Sequence, residues 1–192
     1  FINSSVGGNQ YAEYSGTSMA APNVAGVSAL IRQYVKEKYP HLTNTEVVDV
    51  VNQLLMSTAN PIIGANGTYT SVRAQGAGVA NAYDALKANA MIYVNDCARP
   101  KAEMGSSKQG VYSYTMKVKN TGSAPITYTL NTKAITDEYV EFEGEFYSTT
   151  TSKELTQEDI TITYSDNVVN NMITVNPNET VEITVNMKLS EE

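Results

Sequence analysis

The residues of this chain best suited to chemistry are Gly16-Thr17-Ser18-Met19-Ala20-Ala21-Pro22. A serine stands among small residues and opens straight into a long apolar run. The first N–H groups of a helix have no partner inside it. The positive end of the helix dipole adds to their attraction for negative charge. A tetrahedral intermediate of acyl transfer carries that charge on its oxygen. Ser18 can therefore offer its hydroxyl for attack and its own N–H to the oxyanion. The plain alternative is an N-cap serine on a buried helix.

The elements that must position Ser18 follow from local pattern. Residues 1–14 read as two extended pieces around a Gly7-Gly8-Asn9 turn. The helix after Ser18 is predicted to run to about Tyr39. Ala20, Ala21, Ala25, Gly26, Ser28 and Ala29 allow close approach of neighbours. Val24, Val27, Leu30, Ile31 and Tyr34 follow helical spacing and predict a core face. Lys36, Glu37 and Lys38 make the end polar, and Pro40 stops it. Pro22 is tolerated because it lies near the first turn. Thr43 and Glu46 predict a capping box, with Leu42 and Val47 as its hydrophobic staple. The second helix should carry Val47, Val50, Val51, Leu54 and Leu55 inward and end before Pro61. A loop with Gly64 and Gly67 follows, then Gln75-Gly76-Ala77-Gly78-Val79 and a short helix near Asn81 to Asn89.

The pattern changes near Ala90. Tyr112, Tyr114, Met116 and Val118 alternate with polar residues, as a half-buried strand does. Asn120-Thr121-Gly122 reads as a turn. Alternation returns at Ile126, Tyr128 and Leu130, at Ile160, Ile162 and Tyr164, and from Val181 to Leu189. Met172 to Val175 reads as a short strand before the Asn176-Pro177-Asn178 turn. About seven short strands over roughly a hundred residues predict an antiparallel β-sandwich. Tyr147 to Ser152 reads as an exposed loop or strand edge.

The chain has 192 residues, enough for one large domain or two small ones. It is 42% hydrophobic and 17% charged, with a net charge of −7 and a pI near 4.8. That balance argues against nucleic acid, which asks for a basic face. It also supplies no basic patch for an anionic membrane, and no apolar run approaches bilayer length. Phe1-Ile2 reads as the middle of a gene product. The single cysteine, Cys97, cannot form an internal disulfide and reads as a packing or surface residue. Asn-x-Ser/Thr matches stand at Asn3, Asn66 and Asn178.

Ser15-Gly16-Thr17-Ser18-Met19-Ala20-Ala21-Pro22, with Val24-Ala25-Gly26 after it, resembles the serine signature of the subtilisin-like serine proteases. Asn23 stands where many members carry a histidine that is not part of the triad. The Gly76-Ala77-Gly78-Val79-x-Asn81-Ala82 string is similar to the closing segment of a subtilase domain. A fibronectin type III-like domain directly after it resembles the bacterial cell-envelope proteinases, the group of the lactocepins and the streptococcal complement-cleaving peptidases. The resemblance implies an α/β fold for residues 1–90, the C-terminal fragment of a three-layer catalytic domain represented mainly by its helices. Residues 91–192 would form an all-β, fibronectin type III-like antiparallel sandwich.

It further implies that Ser18 is the catalytic nucleophile and a backbone oxyanion donor. Gly16, Thr17 and Met19 would support the nucleophile loop, with Met19 shaping the leaving-group side. Protein or peptide would be the substrate, without nucleic acid or membrane insertion, and the location extracellular or on the cell envelope. No cofactor or metal is expected of this chain, although structural calcium is possible in the larger protein. The triad also needs a histidine base and an orienting carboxylate, which in the subtilisin order precede the serine. His41 is the one histidine here. It lies past the far end of the Ser18 helix, roughly 30 Å away at helical rise. A base must come within about 3 Å of its proton, so His41 reads as a surface loop residue. The triad histidine and aspartate are expected outside this chain, which alone should be inactive and should depend on the remainder of the protease as partner. Two other readings stay open: a docking or spacer role for the β half, and a pseudoprotease with an incomplete triad.

Overall fold

Gly8 and Asn9 take positive φ, 76° and 59°, and turn β1 (Ile2–Val6) back onto β2 (Gln10–Tyr14) as an antiparallel pair. The computed structural model describes residues 2–94 and 99–190, and Cys97 lies outside the described residues. After the hairpin, α1 (Thr17–Lys38) and α2 (Asn44–Ser57) pack against each other. The predicted capping box forms: the Thr43 hydroxyl accepts from the Glu46 N–H at 3.3 Å, and Glu46 accepts from the Thr43 N–H at 2.8 Å. Leu42 and Val47 both join the core below that cap, as a hydrophobic staple requires. Two short helices follow, α3 (Val72–Gln75) and α4 (Ala82–Lys87). The sequence pattern did not announce α3.

Ile31 and Val35 of α1, Val47, Val51 and Leu54 of α2, Ala85 of α4 and Met91 form the first core. The expected core face of α1 is realised only in its C-terminal half. Val24 and Leu30 are 40% and 54% exposed, and the small residues Ala20, Ala21, Ala25, Gly26 and Ala29 are exposed beside them. Helical spacing marks an apolar face, but among the described residues its first half is covered only in part, at Met19 and Val27.

Among the described residues from Ala90 onward the regular elements are strands: β3 (Ala90–Val94), β4 (Val111–Asn120), β5 (Ile126–Thr129), β6 (Ile135–Phe142), β7 (Glu145–Glu154), β8 (Ile160–Tyr164), β9 (Met172–Val175) and β10 (Thr180–Leu189). That is one strand more than the alternation predicted, and residues 147–152 belong to β7. A four-stranded antiparallel sheet runs β3-β4-β10-β8, with pairs β5-β9 and β6-β7 beside it. Val118, Ile183 and Val185 of the large sheet meet Ile173 and Val175 of β9 in a second core. Asn120 closes the end of that core. Its Nδ2 donates to the carbonyls of Ala124 at 2.8 Å and Val175 at 2.9 Å, while its Oδ1 accepts from the Gly122 N–H at 2.8 Å.

Two stability outcomes follow. Asn120 is fully buried, and removing its amide leaves three backbone groups without their partner. Asn120→Ala should cost about 2 kcal/mol or more, read as a lowered urea midpoint in tyrosine circular dichroism. An unchanged midpoint would remove Asn120 from the account. The Glu46 carboxyl is held below its ordinary pKa, first by the Thr43 hydroxyl and then by the Thr43 N–H. A carboxylate with a depressed folded pKa contributes stability above its unfolded pKa and loses it as pH falls through the folded value. Protection factors of amides at the start of α2, corrected for the intrinsic rate, should therefore fall in acid, and Glu46→Gln should flatten that dependence.

Candidate active site

Ser15 and Gly16 carry the chain from the edge of β2 into α1. Gly16 is the N-cap and sits at φ 146°, ψ 170°, a region open essentially only to glycine. Its carbonyl accepts from the N–H groups of both Met19 and Ala20, at 3.0 and 3.1 Å. The N–H groups of Thr17 and Ser18 therefore precede the first bonded turn and have no place in the helical ladder. Ser18, the second residue of α1, is exposed. The simple N-cap reading of the serine does not hold, because Gly16 fills that position.

Two neighbours shape the next turn. Pro22 is the sixth residue of α1, deeper than the first turn, and supplies no N–H to the Ser18 carbonyl. Asn23 turns its side chain back, and its Nδ2 donates to the Met19 carbonyl at 2.8 Å. Met19 is half-buried and lines an open apolar depression of about 550 Å³ with Ile2, Tyr14, Val24 and Val79. No carboxylate or imidazole lines that depression.

Val79 reaches the depression through a clamp that sequence reading missed. Gln75 Oε1 accepts from the Ile62 N–H, and its Nε2 donates to the Thr70 carbonyl at 2.6 Å. Asn60 and Val79 then exchange two backbone bonds of 2.9 Å each. Gly78 makes this approach possible: at φ 121°, a Cβ there would meet the Asn60 carbonyl oxygen at 2.3 Å. Part of the string that resembles a subtilase closing segment, from Gly76 to Val79, thus joins Gln75 in tying the loop at Asn60 and Ile62 to the segment beside the mouth of α1. Only a residue pair 13 apart carries that signal, which local pattern does not reveal.

His41 is exposed in the turn beyond α1, at the opposite end of the helix from Ser18. The structure thus brings Gly16, Thr17, Ser18 and Met19 together and leaves the histidine apart. Among the described residues, no group of three or more His, Cys, Asp or Glu side chains is arranged to hold a metal. Among the described residues, no helix is long and apolar enough to cross a membrane.

The model of the subtilase family matches residues 2–84. A C5a peptidase of Streptococcus pyogenes serotype M6 is 37% identical over 127 residues, covering 65% of this chain and 10% of that protein. Another C5a peptidase of Streptococcus pyogenes is 44% identical over 97 residues, covering 50% of this chain and 8% of that protein. A PI-type proteinase of Lactococcus lactis subsp. cremoris is 31% identical over 141 residues, covering 67% of this chain and 7% of that protein. The chain thus spans a tenth or less of the length of these relatives.

The Gly16 conformation supplies a test of the helix mouth. An alanine forced to this φ and ψ should cost about 1–3 kcal/mol. Gly16→Ala should therefore speed amide exchange at Met19 and Ala20 by about tenfold or more, since 1.4 kcal/mol is a factor of ten. Unchanged exchange at both amides would show that Gly16 is not what holds the first turn.

Proposed function

Residues 2–84 belong to the subtilase family, and on that premise we propose that this chain is the nucleophile-bearing part of a serine endopeptidase. One observation carries the reading: in the matched segment, Ser18 is exposed at the mouth of α1 with its N–H ahead of the first bonded turn. The Ser18 hydroxyl attacks the scissile carbonyl and gives up its proton to a base. The Ser18 N–H supports the oxyanion of the tetrahedral intermediate. Collapse expels the amine and leaves an acyl-enzyme on Oγ, which water hydrolyses. Gly16 and Thr17 hold the loop, and Met19 borders the leaving-group side.

The base and its orienting carboxylate come from polypeptide outside these residues, since His41 stands beyond the far end of α1. The same polypeptide would cover Val24, Leu30 and the small residues of the first half of α1. Residues 1–90 form the catalytic part in this reading, and 91–192 a fibronectin type III-like sandwich. The four-stranded sheet with β5-β9 against it favours that assignment. Protein or peptide is the substrate, and an extracellular or cell-envelope location follows from the kinship with the streptococcal and lactococcal proteinases.

A fluorophosphonate probe read by intact mass tests the reading. The full-length proteinase should gain one adduct, and its Ser18→Ala variant none. The 192-residue chain alone should label at least about a thousandfold more slowly, because no base assists the hydroxyl. A full-length protein that never labels would mean an incomplete triad and a pseudoprotease.

A further inference from the structure

The β6–β7 hairpin presents the largest concentration of uncovered aromatic surface in the β half. Phe142 and Phe146 are 62% and 72% exposed, and Tyr139, Val140 and Tyr147 are each more than half exposed. The register sets Val140 opposite Tyr147 and Phe142 opposite Glu145, so Val140, Phe142 and Tyr147 share one face. Tyr139, Glu141 and Phe146 share the other. Exposed aromatic clusters of this kind mark interaction sites rather than ordinary surface.

Beyond Lys153 at its base, the charge on the hairpin has one sign. Asp137, Glu138, Glu141, Glu143 and Glu145 lie in β6, the turn and the start of β7, and no Lys or Arg occurs from 134 to 152. Asp137 pairs with Arg73, and Glu138 accepts a hydrogen bond from the Thr151 hydroxyl. Among the described residues, no ion pair engages Glu141, Glu143 or Glu145. Aromatic faces rimmed by free carboxylates complement a partner that is both cationic and apolar.

The hairpin is also held to the segment that bears Ser18. Arg73 of α3 pairs with Asp137 at its base, and Asn66 Nδ2 donates to the Ser152 carbonyl at 2.9 Å. Lys133 pairs with Glu154 across the opening of the two strands. The tip closes through Glu143 and Gly144 at φ 53° and 81°, a tight two-residue turn that leaves the ribbon little freedom. A two-stranded ribbon alone is marginal in water, so these ties set where its tip points relative to residues 2–84.

We propose that the β6–β7 hairpin is a docking surface for a cationic, apolar-flanked segment of the polypeptide substrate, away from the bond that is cut. This rests on the endopeptidase reading above and names the class of substrate it favours. On the face shared by Val140, Phe142, Glu145 and Tyr147, Lys or Arg side chains meet Glu145 and Glu143 of the turn, while apolar residues between them cover Val140, Phe142 and Tyr147.

The test uses the full-length proteinase. Its substrates are a long peptide with a Lys/Arg/Leu cluster remote from the cleavage site, the same peptide with Gln for each Lys and Arg, and a short neutral chromogenic peptide. In the E143Q/E145Q and Phe142→Ser/Tyr147→Ser variants, kcat/KM for the cationic peptide should fall about tenfold or more, through KM. Cleavage of the short peptide should stay within about twofold of wild type. The charge effect should largely vanish near 0.5 M salt, where screening is nearly complete. Anisotropy of the fluorescent cationic peptide on a Ser18→Ala background reads docking without turnover. If wild type cleaves nothing, the endopeptidase reading fails, while the anisotropy still decides the docking. Equal affinity for the cationic and Gln peptides, or no loss in either variant, overturns the proposal. Salt-independent binding of a soluble neutral glucan by the hairpin, at the peptide's expense, overturns it in favour of a carbohydrate partner.

Discussion

Strand β3 is the constraint on which both halves depend. Successive side chains of a strand point to opposite faces, and β3 uses this to serve two cores at once. Met91 is buried with the helices, while Ile92 packs against the core of the large sheet. A single hydroxyl fixes the register: Ser57 Oγ accepts from the Ile92 N–H at 2.9 Å and donates to the Ile92 carbonyl at 3.3 Å. The last turn of α2 is thereby tied to the first strand of the β half. The Thr121 N–H adds a 2.7 Å bond to the Asn89 carbonyl beside it. Two cores that share a strand in this way have no free linker between them. Ties from Arg73 and Asn66 to the β6–β7 hairpin extend the same union to the far side of the molecule.

Much of this was legible because it is local. The capping box needs four residues, the β1–β2 turn needs three, and both formed where their residue types require. The helix start at Gly16 to Pro22 was legible for the same reason: small residues, serine and proline act within two helical turns. β6 was not legible. Its pairing shifts register between Asp137 and Tyr139, so the alternation of Ile135 and Asp137 passes out of phase with that of Val140 and Phe142. A period-two search across the shift finds no strand. β7 is rich in threonine and serine and lacks the apolar period altogether. Its strand state rests on pairing with β6, which is tertiary information.

The site divides along the same line. Gly16, Thr17, Ser18 and Met19 are neighbours in sequence, and their geometry follows from helix-start rules. Gln75 acts on Ile62 and Thr70 across a loop, and only the folded chain displays that. The apolar stripe of α1 was read correctly as a stripe, yet Val24 and Leu30 are uncovered. Periodicity reports that a face is apolar; it carries no information about which polypeptide lies on it.

That uncovered face bears on how the nucleophile proposed for Ser18 would be held in place. α1 is anchored at Ile31 and Val35, its buried residues. Ser18 lies 13 positions before Ile31, a lever of about 20 Å at helical rise. A tilt of about 5° at the anchor would carry the Ser18 end through about 1.7 Å on that lever. Displacements near 1 Å already cost about a hundredfold in rate. An anchor at one end of a long helix is therefore too weak a constraint for acyl transfer. The hairpin β1–β2 and the Asn60–Val79 bridge reach the mouth of α1, but Ile2, Tyr14 and Val79 are themselves exposed there. Precision at Ser18 requires further packing on the first half of α1. The apolar and small side chains that such packing would use are already aligned along it.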